Sequence, residues 1–426
     1  MHLRSFNKQL PLQAWLRPWE NLDRWLLLLP ISLTLVGGLL IRSTELHQGW
    51  TDWLQHWMIG GVGLLLALII APLPYTILLR AHWLVYALTN LSLVAVMVVG
   101  TSALGAQRWI PVFGFNVQPS EFAKVGLIIS LAALLHHQPA TTLFAMVRTL
   151  AVMLVPLALV FLQPDLGTSL VFGAIALGML YWANINLGWL VLMVSPLPSA
   201  ILLNVPLPHN LSLILWVVWV FLMGLLGWLT LPRPVVGALS GVTLNLISGG
   251  MGRVLWDLLK DYQKDRIILF LDPDRDPLGG GYHLIQSRIA VGAGGLWGKG
   301  LNQGTQTQLN FIPEQHTDFI FSAVGEELGF IGAIVLVLAF WLICLRLILI
   351  AQSAKDNFGS LLAIGVLSMI VFQVVVNIGM TIGLAPITGI PLPWMSYGRS
   401  SLLTNFIALG IVQSVSNYRH RLKFTD

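Results

Sequence analysis

Apolar runs of membrane-crossing length alternate with short polar breaks along almost the whole chain. A helix needs roughly 20 apolar residues to cross the hydrocarbon, so the pattern predicts helices at about 25–41, 56–73, 81–100, 119–136, 144–162 and 166–184. Further helices are predicted at about 188–204, 211–231, 235–257, 318–349, 359–382 and 398–416, about twelve in all. Barrel strands would alternate over short segments, and no segment does so. The predicted fold class is an all-α polytopic membrane protein, a helical bundle. Pro196, Pro198, Pro206 and Pro208 interrupt the pattern between Leu187 and Asp257, where the helix limits are hardest to draw.

Charge then orients the bundle. Arg80, Arg148, Arg233, Arg346 with Lys355, and the tail Arg419, Arg421 and Lys423 all fall on the N-terminal side of the alternation. The positive-inside rule makes that side cytoplasmic, so both termini are expected inside. Arg4, Lys8, Arg17 and Arg24 precede the first apolar run with no small-residue cleavage site after it, which reads as a retained signal anchor. Residues 1–24 are then a cytoplasmic segment and 25–426 one transmembrane domain.

The connection 258–317 lies outside in this scheme and greatly exceeds the usual loop of about 4–6 residues. It contains a charged DYQKDRIILFLDPDRDPLGGGYH, a helical IQSRIAV and a glycine run GAGGLWGKG, and its apolar content predicts a structured cap.

Composition agrees with a membrane location: 56% of residues are hydrophobic and 10% charged, against roughly 25% charged in soluble domains. Cys344 is the single cysteine, so this chain alone builds no disulfide framework or thiolate metal cluster. The net charge of +5 is accounted for by cytoplasmic loops and calls for no nucleic acid.

One stretch breaks the apolar monotony with ionisable groups. Phe311–Gly329, FIPEQHTDFIFSAVGEELG, places Asp318 at the water edge of a span and Glu326 and Glu327 within it. Acids at such depth mark chemistry or substrate paths. The plainer reading of Asp318 is a helix cap. Glu326 and Glu327 cannot both face one side of a helix, and a structural ion pair is the favoured reading for them. Glu314 reads as a solvated loop carboxylate, and His316 either orients Asp318 or caps the loop.

That stretch joins four others: GAQRWIPVFGFNVQPSEFAK at 105–124, QPDLGTSL at 163–170, DPLGGGYHLIQSRIAVGAGGLWGKG at 276–300 and NIGMTIGLAPITGIPLPWMSYGRSS at 377–401. In this order they resemble the SEDS family of cell-shape, division and sporulation proteins, over nearly all of the chain from the third helix onward. GTQTQLNFIPEQHTDFIF is more like the elongation branch than the division branch.

The resemblance implies a peptidoglycan glycosyltransferase that polymerises lipid II at the outer face of the cytoplasmic membrane. Its implied partners are a class B penicillin-binding transpeptidase and membrane proteins of the elongation complex. Asp318 matches the family's essential aspartate. As general base it would take the proton of the acceptor GlcNAc C4 hydroxyl while that oxygen attacks the donor MurNAc, with undecaprenyl diphosphate leaving and inversion at the anomeric carbon. Arg108 suits bidentate contact with that diphosphate, and Lys124 would share the task if its pairing with Glu121, three residues away on one helix, opens.

Gln118 belongs to the same group. Asp165 is most simply a helix cap, on the cavity side in the family. Lys299 and its glycines read equally as a phosphate cradle or a tight turn. Asn377, Ser396 and Tyr397 flank an irregular outer loop that should line protein or a cavity. No nucleotide cofactor is implied; a divalent cation, Mg or Mn, would help neutralise the diphosphate, with no clear ligand set.

Two features depart from the family. About ten helices are usual, so the apolar material at 187–231 reads as an inserted pair that keeps the cap outside. Arg399 stands where glycine is common, and needs an outer carboxylate or lipid phosphate for company. The rival readings are a lipid II flippase, for which an inverted repeat would speak and none is visible, a division paralogue, and a non-catalytic scaffold for a transpeptidase.

Overall fold

In the computed structural model, which describes residues 19, 21–46, 51–103, 106–112, 115–138, 143–204, 211–258, 261–272, 275–276, 281–309 and 311–419, helices occupy all twelve predicted places. They are α1 (Arg24–Thr44), α2 (Asp52–Ile70), α3 (Thr76–Val99), α4 (Pro119–His137), α5 (Leu143–Leu162), α6 (Leu166–Trp182), α7 (Leu187–Val194) with α8 (Pro196–Asn204), α9 (Leu211–Thr230) and α10 (Pro234–Leu258). Beyond the cap come α14 (Ile320–Ala323) running into α15 (Gly329–Gln352), then α16 (Asn357–Thr381) and α17 (Arg399–Tyr418).

Counting α7–α8 and α14–α15 as one stretch each, ten of these among the described residues are long and apolar enough to cross a membrane. The chain is a multi-pass membrane protein. The predicted α6 is an apolar helix of shorter length, and α17 is more polar than the others. Of the features read from the sequence, Arg4, Lys8, Arg17, Pro206, Pro208, Arg421, Lys423 and both termini lie outside the described residues.

α4 forms the axis of the bundle. It packs against α3, α5, α6, α16 and α17, and its side chains are buried on nearly every face. A helix enclosed all round must be apolar all round, which makes its two charges, Glu121 and Lys124, conspicuous. α17 is enclosed as well and buries Ser400, Ser401, Thr404, Asn405, Gln413 and Ser414. At the N-terminal end of α1, Asp23 caps the helix by accepting from the Leu26 amide at 3.0 Å, and the Arg346 guanidinium of α15 grips its carboxylate. Gln413 of α17 accepts from the Asp23 amide and donates to its carbonyl, both at 2.9 Å.

The helices α7 to α10 make their own contacts around a small core of Leu192, Met223 and Leu231. The break between α7 and α8 falls at Ser195, just before Pro196. Proline there has no amide to continue the helix.

The all-helical reading needs one correction outside the spans. Residues 101–117 form a three-stranded antiparallel sheet, β1 (Thr101–Ala103), β2 (Ala106–Val112) and β3 (Phe115–Val117). Strands of three residues are too short to show a period in sequence. The cap contains α11 (Asp261–Leu271), α12 (Tyr282–Ala293) and the single turn α13 (Thr305–Gln308).

A second difference bears on function. The predicted helix 318–349 is interrupted by a π turn at Val324–Leu328, and α15 begins at Gly329 with φ 67°. The glycine run explains the break. The amides of Lys299 and Gly300 donate to the carbonyls of Glu326 and Glu327 at 3.0 Å, and those of Phe330 and Ile331 donate back to the carbonyls of Gly295 and Leu296. A Cβ on Gly298 would lie 2.2 Å from the Glu327 carbonyl oxygen, so only glycine admits this docking.

Candidate active site

Asp318 sits in the turn that leads into α14. The turn pivots on Glu314, whose φ is 52° and whose carbonyl accepts from the amides of Thr317, Asp318 and Phe319 at 3.1–3.3 Å. The helix starts after Phe319 without a side-chain cap, so the capping role open to Asp318 in sequence is not the one it has. Its backbone is held from the other side: the buried Asn377 of α16 donates to the Asp318 carbonyl at 2.9 Å and to the Ile390 carbonyl at 2.7 Å. One side chain thus fixes the acidic turn to the irregular loop between α16 and α17.

That loop brings the remaining groups close. Gly389 has φ 72°, and a Cβ on it would lie 3.4 Å from Oδ2 of Asp318 and 4.0 Å from Nη1 of Arg266. On the loop's other face, a Cβ on Gly167 would lie 2.5 Å from the Thr388 carbonyl oxygen, which seats the start of α6 directly beneath. Asp165 caps α6, accepting from the Thr168 amide at 3.2 Å and its hydroxyl at 3.0 Å. It also accepts from Gln118 Nε2 at 3.3 Å. Arg108, on β2, donates to the carbonyls of Gln163 and Pro164.

Asp318, Arg266, Glu314, Asp165 and Arg108 therefore share one electrostatic neighbourhood. Burial raises the Asp318 carboxyl to about 6; Arg266 opposes the rise most, Glu314 and Asp165 add to it, and Arg108 opposes it. The side chain is half-buried, set deep among protein atoms yet open on one side. Among the described residues no donor hydrogen-bonds its carboxylate. Near neutral pH the Asp318 carboxyl is therefore largely ionised. A carboxylate in that state can accept a proton from a bound hydroxyl.

The other candidates divide. Lys124 donates to Glu121 at 2.7 Å, and both are buried, so the pair is closed. Lys299 donates to Glu326 at 2.8 Å and to Thr305 at 2.7 Å, and is joined to the π turn rather than to the Asp318 group. The amides of its glycine run serve the helix break described above. Ser396 accepts from the Leu392 amide at 2.8 Å, inside a turn. His316 accepts through its carbonyl from the Tyr397 amide at 2.9 Å, and burial lowers its imidazole below the usual range.

Arg399 donates to the Tyr397 hydroxyl at 3.0 Å and lies over the Phe115 ring; among the described residues no carboxylate pairs with it. Arg266 was not singled out by sequence. It lies in the charged cap helix α11, whose basic residues look alike in sequence until that helix is placed beside the Gly389 loop.

The family model described as "Cell cycle protein", covering FtsW, RodA and SpoVE, matches residues 24–212 and 208–421, and the two matched segments meet inside 187–231. The chain is 33% identical over 409 residues to the peptidoglycan glycosyltransferase MrdB of Escherichia coli K12, covering 95% of this chain and 96% of that protein. It is 35% identical over 428 residues to the peptidoglycan glycosyltransferase RodA of Treponema pallidum, covering 94% and 99%.

Among solved structures, a chain from a peptidoglycan synthase complex that coordinates polymerization and crosslinking matches with TM-score 0.70 and 30% identity, over 95% of this chain and all of that one. The crystal structure of Thermus thermophilus RodA matches in fold with TM-score 0.61 and 24% identity, over 95% and 99%. The motifs, the bundle and these matches converge: the chain belongs to the FtsW, RodA and SpoVE family.

Proposed function

We propose that this chain is a peptidoglycan glycosyltransferase that polymerises lipid II at the outer face of the cytoplasmic membrane, serving elongation and cell shape. The observation that carries the reading is the Asp318 carboxylate: held through its backbone, without a side-chain donor among the described residues, and facing Arg266 across Gly389, with Arg108 in the same electrostatic neighbourhood. The acceptor's C4 hydroxyl meets Asp318, which takes its proton as the C4 oxygen bonds to the donor's anomeric carbon and the bond to undecaprenyl diphosphate breaks. Arg266 and Arg108 supply the positive field in which that diphosphate leaves. Lys124 reaches the diphosphate only if its pair with Glu121 opens.

The geometry also supports positioning roles. Gln118 and Asp165 brace the start of α6 beneath the Thr388–Gly389 loop, while Ser396 and His316 shape the loop edge. Lys299 is a structural partner of Glu326 in this reading. Both termini lie in the cytoplasm and the cap outside, with a class B transpeptidase as partner.

The test is reconstitution. Purified protein with lipid II and such a transpeptidase should make glycan strands, and Asp318→Asn should abolish them. Translocation of lipid II without polymerisation by the parent protein would overturn the reading.

A further inference from the structure

A second cluster of ionisable groups lies at the outer end of the bundle and takes no part in the chemistry above. Glu45 ends α1, Asp52 begins α2, and His316 comes from the cap beside the acidic turn. One ligand atom from each lies within 4.8 Å of the others. Among the described residues this is the one trio of His, Cys, Asp or Glu so arranged.

Glu45 is only 3% exposed, and among the described residues its Oε1 has no hydrogen-bond partner, while the carboxylate faces the amides of Trp53, at 3.4 Å from Oε2, and Asp52. Among the described residues no lysine or arginine pairs with Glu45 or Asp52; the nearby Arg42 lies over the Trp53 ring instead. A buried carboxylate oxygen without a donor is disfavoured by the full loss of its hydration. His316 Nε2 stands 4.0 Å from Asp52 Oδ2, too far for a direct hydrogen bond. Two tetrahedral ligands each about 2.1 Å from a shared ion stand about 3.4 Å apart, so this pair closes by about 0.6 Å around one.

We propose that Glu45, Asp52 and His316 bind a divalent transition-metal ion, manganese or zinc, that ties the α1–α2 connection to the cap. Two carboxylates balance the charge of the ion, and the imidazole favours these metals over magnesium or calcium, which take oxygen ligands. The three atoms lie within 4.8 Å of one another, and gathering them to the roughly 3.4 Å spacing of tetrahedral ligands shortens the longest separation by up to about 1.4 Å. Asp52 and His316 are partly exposed, so the ion has a route in and keeps water on its open side.

The experiment uses the full chain in detergent, stripped with chelator and titrated with Mn(II) while free Mn(II) is followed by electron paramagnetic resonance; Zn(II) is added as competitor. One site per chain is expected. Glu45→Gln, Asp52→Asn and His316→Ala should each weaken it at least about tenfold, and Asp318→Asn should leave it unchanged. Metal should raise the unfolding temperature of the parent but not of Glu45→Gln. Asp52→Asn, at the partly exposed rim, carries the test if the buried Glu45→Gln does not fold. No binding up to millimolar Mn(II) or Zn(II), or a site retained in Asp52→Asn, would overturn the proposal.

Discussion

Asp318 and Glu326 stand eight residues apart in one acidic stretch, and the fold treats them in opposite ways. Glu326 is fully buried and receives Lys299 Nζ, the Thr305 hydroxyl, the amides of Gln306 and Thr307, and the Thr307 hydroxyl, all at 2.7–3.2 Å. Every lone pair is occupied, and the carboxylate is spent on joining α13 and the glycine run to the π turn. Asp318 is secured only through its backbone, by Asn377 and Glu314. A fully satisfied acid anchors structure. An acid positioned through its main chain keeps its side chain for a ligand.

Substitutions can break or sharpen that contrast. The largest effect is expected from Asp318→Asn, which should lower glycan polymerisation on lipid II by at least about 100-fold, as loss of a general base does, with the fold intact. Glu326→Ala should act on folding instead. Removing one member of a buried, hydrogen-bonded pair costs about 3 kcal/mol, toward the low end because Lys299 is partly exposed. Thermal unfolding in detergent should show it, while activity per folded molecule changes far less. Equal loss of specific activity in both variants would erase the distinction between the two acids.

Smaller effects concern protonation. Polymerisation should decline as pH falls through about 6, where Asp318 gains a proton. Arg266 opposes the rise in the Asp318 pKa, so Arg266→Gln should move that acid limb to higher pH, and raising the pH should recover part of its activity. An unmoved pH–rate profile would remove Arg266 from the site.

The smallest effect has the opposite sign in stability. A carboxyl raised from 3.8 to about 6 prefers the proton in the folded state, so it weakens folding as pH rises through that window. Asp318→Asn should therefore unfold at a slightly higher temperature than the parent at pH 7 and lose this advantage below pH 4. That would be the mark of a residue kept for function.

The hydrophobic pattern revealed the helices because each must bury or face lipid along its whole length, and this leaves a periodic or continuous trace. It could not reveal the π turn at Val324–Leu328, because the cause lies in Leu296–Gly300, about thirty residues earlier in the chain. Asp318 was legible through its position at a span edge within a recognised motif. Arg266 was not, since a basic side chain in a cap helix has no sequence signature until tertiary contacts set it beside Gly389. Lys299 stayed open between two readings for the same reason: a lysine among glycines has the composition of a phosphate loop and of a tight turn alike, and only the docked π turn shows the amides of Lys299 and Gly300 already committed.

The clasp of Asp23 by Gln413 joins positions 390 residues apart. At synthesis rates of roughly 5–20 residues per second, α17 leaves the ribosome roughly 20–80 s after α1. Throughout that interval the Asp23 backbone waits for its clasp, its carboxylate meeting Arg346 of α15 first, and nascent chains that stop short of Gln413 never close it. Arrival of the last helix thereby becomes the event that completes the first, and a membrane protease could tell finished molecules from truncated ones at this one junction.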